Sequence, residues 1–352
     1  MTSTRQLTRL GRSLPTVSSP LRGSEANELR KRFLSVVPAL WTIKHEKSDS
    51  LVPKDTAKAK SSAEYCMESV RKSDYENYLA SLLLPSTIRS TAFAIRAFNV
   101  ELAQVRDLAS NNTIAQMRFM FWKDVLEEIY SGRPRAHPVA QEMHRAVQQK
   151  KLTKVWLRRL IDCRFDRLHS KPFLNVDALE TFAENSVSPI YYLLLEASGS
   201  KDVPSDHAAS HLGKTIGILN LIRSTPFLIS RNQLSLPMDV LMRHNLSTES
   251  ISRIARGVDR KFGEPVTQAE VLALQEVTFD LASAAHTHLS TTRSLLKEIP
   301  ISSLPIFLPI ISCESFLSRL RKVDFDMFHP KSRQRDGLLP LKLWWHLKWK
   351  SF

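Results

Sequence analysis

The chain has 352 residues, 43% hydrophobic and 24% charged, with a formal net charge of +15. That balance belongs to a globular protein with a sizeable core rather than to a disordered chain. Only nine glycines are present, roughly a third of ordinary usage, which argues against turn-rich β architecture and glycine phosphate loops. Neither GxGxxG nor GxxxxGK[ST] occurs, so dinucleotide and P-loop readings lose their main support. Cys66, Cys163 and Cys313 lie far apart and are odd in number, so they read as reduced thiols rather than a disulfide framework or a CxxC pair.

The first 34 residues read as a mitochondrial presequence. "MTSTRQLTRLGRSLPTVSSPLRGS" carries Arg5, Arg9, Arg12 and Arg22 and no acid, while Leu7, Leu10 and Leu14 share one helical face. "KRFLS" marks a processing region, with a cut expected before Ser35. Residues 1–60 hold twelve Lys and Arg against five Asp and Glu, a net +7. Nearly half of the positive excess therefore lies in the first sixth of the chain, and no basic strand with interleaved aromatics supports a nucleic-acid partner elsewhere. Residues 35–65 read as a polar linker.

From residue 66 to 328 the dominant period is 3.6 residues, which predicts a single all-α domain enclosing a central space. Over 90–109, Ile95, Phe98, Leu102 and Val105 form an apolar stripe. Next, "NNTIAQMRFMFWKDVLEEIYSG" places Asn112 as a cap, Ile114, Met117, Phe121, Val125 and Ile129 inward, and Gly132 as a stop. "NSVSPIYYLLLEASG" has Pro189 in its first turn and ends at Gly199. Further helices are expected over 139–149, 153–168, 176–184, 206–229, 249–257, 264–298 and 311–323. "ISSLPIFLPIISC" is too short to span a bilayer and is broken by Pro305 and Pro309.

Residues 329–352 form a basic aromatic tail. Trp344, Trp345 and Trp349 interleave with Lys342, Lys348 and Lys350. Such a segment either meets a bilayer interface, with its lysines at anionic head groups, or packs back onto the body.

Two helix faces attract attention as candidate sites. Gly213, Gly217, Asn220 and Ser224 share one face, within a stretch between Asp206 and Asp239 that holds Lys214, Arg223 and Arg231 but no carboxylate. Arg96, Val100, Ala103 and Asp107 line up on another. Small residues at helical spacing suit either close packing or a cavity wall. His207 and His211 stand four apart, as two metal ligands on one helix would, but no third ligand is evident, and they read as surface or structural histidines. His286 and His288 fall on different faces. Ser186 and Ser188 read as helix-start residues, and no metal ligand set is assigned.

The blocks "SDYENYLASLLLPSTIRSTAFAIRAFNVELAQVRD", "MRFMFWKDVLEEIYSGRPRAHPVA", "ASHLGKTIGILNLIRSTPFLISRNQLSLPMDVLMRH" and "VDFDMFHP" occur in that order over roughly 70–330. They resemble the successive blocks of phytoene and squalene synthases, which implies the isoprenoid-synthase helical fold. Active members join two prenyl diphosphates, and two aspartate-rich motifs hold the Mg²⁺ that screens the leaving diphosphate. Through this resemblance the arginine of the first motif becomes Val100, its paired aspartates become Ala103 and Gln104, and Asp107 remains. In the second, Asn220 and Arg223 are kept, but the aspartates become Ser224 and Leu228, an intervening acid becomes Phe227, and a tyrosine becomes Ser235.

The resemblance is to a mitochondrial branch of that family. The presequence and the missing carboxylates read as a noncatalytic mitochondrial pseudoenzyme without a cofactor, and the resemblance implies that it assists an early stage of respiratory complex I (NADH:ubiquinone oxidoreductase) assembly. Its implied partners are nascent subunits of the ND1-containing membrane module, other assembly factors and lipids of the inner-membrane surface, on the matrix face. Two alternatives stay open: an active prenyl transferase with a rearranged metal site, and a lipid- or quinone-binding protein using the inherited cavity.

Overall fold

The computed structural model describes residues 61–169, 172–231, 233–256 and 266–349. The presequence and most of the linker lie outside the described residues, as does Lys350. The chain runs through α1 (Ser62–Ser73), α2 (Tyr75–Leu82), α3 (Ser86–Leu108), α4 (Asn112–Ser131), α5 (Pro138–Lys150) and α6 (Lys154–Asp166). It continues with α7 (Val176–Ser186), α8 (Ser188–Ser198), α9 (Val203–Ser230), α10 (Met238–Arg243), α11 (Thr248–Arg256) and α12 (Gln268–Leu295). A short 3₁₀ turn (Leu304–Phe307) leads into α13 (Pro309–Arg321), α14 (Pro330–Arg333) and α15 (Leu339–Trp349). Among the described residues there is no strand, so the all-α expectation is met. No described helix is long and apolar enough to cross a membrane.

Helix ends follow local chemistry. Ser61 with Glu64, and Thr267 with Glu270, form reciprocal capping boxes that satisfy first-turn N–H groups. Asn111, Asn175 and Asp202 cap α4, α7 and α9. Gly132 and Gly199 follow α4 and α8 with φ of 81° and 82°, the left-handed conformation that costs glycine least.

α3 and α9 organise the core. The expected α3 stripe is buried, Ile95, Phe98, Leu102 and Val105 being at most 2% exposed. α9 packs most extensively along α12 and also meets α7 and α8.

Several expectations need correcting. Asn111 rather than Asn112 caps α4, its side chain accepting from the Ile114 N–H at 2.9 Å. The buried face of α4 is Ala115, Phe119, Trp122, Leu126 and Ile129, with Val125 beside it, whereas Ile114 and Met117 are exposed. Two series of 3.6-residue period lay one residue apart in that segment. Val125 and Ile129 are buried as expected, and Trp122 joins them, its indole packing edge-on against buried Phe98 with centroids 5.4 Å apart. α1 begins inside the segment read as linker. α2, α10 and α15 are additional helices, too short or too interrupted for periodicity to announce.

Candidate functional site

The small-residue face of α9 serves two purposes along its length. A Cβ on Gly213 would lie 2.7 Å from Cα and N of Ser188, and one on Gly217 would lie 3.0 Å from Ala183 Cα. Only glycine lets α9 approach the α7–α8 corner so closely. Farther along, Asn220 and Arg223 line an open cavity of about 670 Å³. α3 supplies a second wall through Arg96, Val100, Ala103, Gln104 and Asp107, and the start of α2 contributes Asp74 and Glu76. Six of the ten residues carried over from the synthase motifs therefore share one cavity. Ser224 and Leu228 do not line it; the Ser224 hydroxyl instead donates to the Leu221 carbonyl of its own helix at 3.1 Å.

The cations of the acid-free α9 stretch each find a carboxylate on another helix. Arg223 donates to Glu76 at 2.8 Å and lies over the Phe316 ring at 4.3 Å. Arg231 pairs with Asp107 at 2.7 Å, and Lys214 sits 3.9 Å from Glu180. Sequence reasoning saw the cations and missed these partners, which lie 124 and 147 residues away for Arg231 and Arg223.

Deeper in the cavity, Arg164 donates to Asn99 at 2.7 Å and to the carbonyls of Leu160 and Ser186. Burial pushes its pKa down from the ordinary guanidinium value. Burial likewise raises the Asp74 carboxyl, against the opposing pull of Arg96 and Asn77. Asn77 donates to both Asp74 oxygens, at 2.9 and 3.0 Å. Arg96 is 3% exposed, faces the Tyr191 ring at 5.8 Å and has a buried Nε without a hydrogen-bond partner. Cys313, also lining the cavity, is a protonated thiol pushed up to about 12 by burial; Cys66 behaves likewise, and burial raises Cys163.

These side chains do not fit a magnesium cluster of the kind active synthases use. Mg²⁺ needs oxygen ligands converging in near-octahedral geometry. Asp107 is turned to Arg231, Glu76 to Arg223, and Gln104 donates to the Ser73 hydroxyl at 2.9 Å. Among the described residues no group of three or more His, Cys, Asp or Glu is positioned to hold a metal ion.

The remaining candidates lie elsewhere. α15 turns Leu339 and Leu343 into a small second core with Ala80, Leu308 and Ile311. Its other side leaves Trp344, Trp345 and Trp349 37%, 50% and 60% exposed, with Lys348 5.0 Å over the Trp344 ring. The packing reading of the tail therefore holds for one face of this helix, and its other face is exposed. Ser188 is fully buried and donates to Glu184 at 3.0 Å, a packing role beside Gly213, while Ser186 closes α7. His207 and His211 are brought together, and His288 of α12 joins them; His286 is exposed on another face.

Comparison with known proteins places this architecture. The squalene/phytoene synthase family model matches residues 70–345. The chain is 46% identical over 280 residues to the Homo sapiens protein named NADH dehydrogenase (ubiquinone) complex I, assembly factor 6, covering 80% of each chain. It is 38% identical over 289 residues to the Drosophila melanogaster homolog of that factor, covering 80% of this chain and 82% of that one. A dehydrosqualene synthase crystal structure superposes with a TM-score of 0.68 at 15% identity, over 83% of this chain and 97% of that one. Squalene synthase HpnC from Alicyclobacillus acidocaldarius superposes at 0.63 and 16% identity, over 75% and 94%. These two structures speak for the fold. The helical architecture and the shared blocks have one origin: the chain belongs to the squalene/phytoene synthase family, within the branch that includes the proteins named NADH dehydrogenase (ubiquinone) complex I, assembly factor 6.

Proposed function

We propose that this protein assists the assembly of respiratory complex I without catalysing prenyl transfer. The observation carrying the noncatalytic half is the pairing of Asp107 and Glu76 with arginines, on walls where Val100, Ala103 and Gln104 offer no carboxylate. Losing one preorganised charge-stabilising donor costs an enzyme about 10²–10³-fold, and here several are missing together. The assembly half rests on the names of the relatives. Its finer form is an early role in the mitochondrial matrix, on the ND1-containing module, together with other assembly factors. The basic amphipathic leader supports import.

The exposed face of α15 supports peripheral attachment to the inner membrane. Trp344, Trp345 and Trp349 suit the interfacial zone, and Lys348 and Lys350 suit anionic head groups. A Trp344→Ser/Trp345→Ser/Trp349→Ser variant keeps the buried leucines and is expected to lose carbonate-extractable membrane association while staying folded. Unchanged association would remove α15 as the contact.

Deleting the protein and resolving respiratory complexes on native gels tests the function as a whole. Loss of complex I with accumulation of early intermediates is expected; normal complex I and normal intermediates would refute the assembly role. Repeated diphosphate release from farnesyl or geranylgeranyl diphosphate with Mg²⁺ would refute the noncatalytic reading. A second reading is favoured by the persistence of the 670 Å³ cavity: a lipid or quinone held there, with Arg223 near its head group. Native mass spectrometry of the purified protein checks it, and a ligand-free mass would count against it.

A further inference from the structure

The side chains of α7, α9 and α12 meet in a histidine chain that neither the cavity nor the assembly role uses. Glu180 of α7 accepts from His288 of α12, Oε1 to Nε2, at 3.1 Å. His288 Nδ1 lies 2.8 Å from His211 Nδ1, and His211 Nε2 lies 3.1 Å from His207 Nε2. His207 is exposed, His211 is half-buried and the His288 side chain is 13% exposed. The chain therefore runs from a partly buried carboxylate, which also lies 3.9 Å from Lys214, to the surface.

With three neutral rings, one proton arrangement satisfies every contact. The carboxylate only accepts, so His288 carries its proton on Nε2 and accepts at Nδ1. His211 then donates from Nδ1, leaving a bare lone pair on Nε2 that points outward to His207.

We propose that His207 and His211 form a surface chelate for one imidazole-preferring divalent metal ion, Zn²⁺ being the probe, with His288 and Glu180 orienting His211. Two nitrogens each about 2.0–2.1 Å from a tetrahedral zinc stand about 3.3 Å apart. The observed separation of 3.1 Å between the two Nε2 atoms already lies within a few tenths of an ångström of this. Binding requires that His207 shift its proton from Nε2 to exposed Nδ1 and that the two rings turn until both Nε2 lone pairs converge on the ion. A ligating histidine normally donates its other N–H to an acceptor that ends in a carboxylate, fixing tautomer and ring orientation; His211 does so through His288 to Glu180. No third His, Cys, Asp or Glu among the described residues converges on the pair, so water completes the coordination.

The test is titration of Zn²⁺ into tag-free full-length protein, against a chromophoric zinc competitor. One zinc per chain is expected. It should be lost in His207→Ala, whose exposed ring can go without disturbing the core, and retained in His286→Gln. Glu180→Gln should weaken binding about 10–100-fold, the usual effect of removing an outer partner. Absence of zinc binding by the wild type, or equal stoichiometry and affinity in a His207→Ala/His211→Ala variant with unchanged circular dichroism, overturns the site. Unchanged affinity in Glu180→Gln overturns the orienting chain.

Discussion

Replacing Gly213 by alanine adds one methyl group where the backbone of Ser188 stands. The new Cβ would lie 2.7 Å from Ser188 Cα and N, against an ordinary contact of 3.4–4 Å. α8 and α9 must therefore part by about 0.7 Å or more, and backbone atoms cannot rotate aside as a side-chain tip would. Overpacking of this kind costs about 1–3 kcal/mol, here at the upper end, while alanine over glycine in a helix returns about 1 kcal/mol. The net expectation is a loss of about 2 kcal/mol, or about 4–8 °C in Tm at about 2–4 °C per kcal/mol. Thermal and urea denaturation with Gly337→Ala as control checks this, since nothing lies within 4 Å of that added methyl. A Gly213→Ala protein as stable as the wild type, or more so, would mean that helix propensity governs and that the close approach is not tight. The same displacement should be felt at Asn220 and Arg223, which ride on α9 toward the cavity.

Further outcomes follow from named contacts. Glu76→Gln leaves Arg223 without its charge partner beside Phe316, and both side chains are about 30% exposed, so a coupling of about 1 kcal/mol is expected in a cycle with Arg223→Met; zero coupling would show the pair to be incidental. Asp336 is held down to about 2, its ordinary acidity strengthened by Lys342 and Ser315 despite burial. Its folded pKa lies below the unfolded value of about 3.9, so its contribution is full above about pH 4 and is lost as pH falls through about 2. The stability gap between wild type and Asp336→Asn should thus stay constant from pH 7 to 4 and close toward pH 2, and a gap that persists at pH 2 would refute the assignment. Leu343→Ala, at a fully buried position, should cost about 2–4 kcal/mol and expose α15 to limited proteolysis; unchanged protection would argue that Leu339 alone holds the helix.

What could be read in advance was what depends on neighbours along the chain. The α3 stripe, the αL glycines after α4 and α8, and Pro189 at the start of α8 are local signals, each with a mechanism inside one or two turns. On α4, Val125 and Ile129 were read correctly and Ile114 and Met117 were not, because two residue series of equal period compete there and contacts such as that of Phe98 with Trp122 come from another helix. α2 escaped because eight residues give barely two turns of pattern.

The candidate site divides the same way. Its residues from α3 and α9 were visible as blocks, and so was the absence of carboxylates between Asp206 and Asp239. The acid-free stretch around Gly217 nevertheless stood out as a candidate site, because Arg223 and Arg231 have no acid close by in sequence. Folding supplies Glu76 and Asp107 from α2 and α3, and Coulomb attraction depends on distance through space rather than along the chain. The sequence by itself determined a helical synthase-like frame. Only the tertiary structure decided which charges pair, where the glycine face ends and the cavity begins, and that three histidines from two helices form one chain.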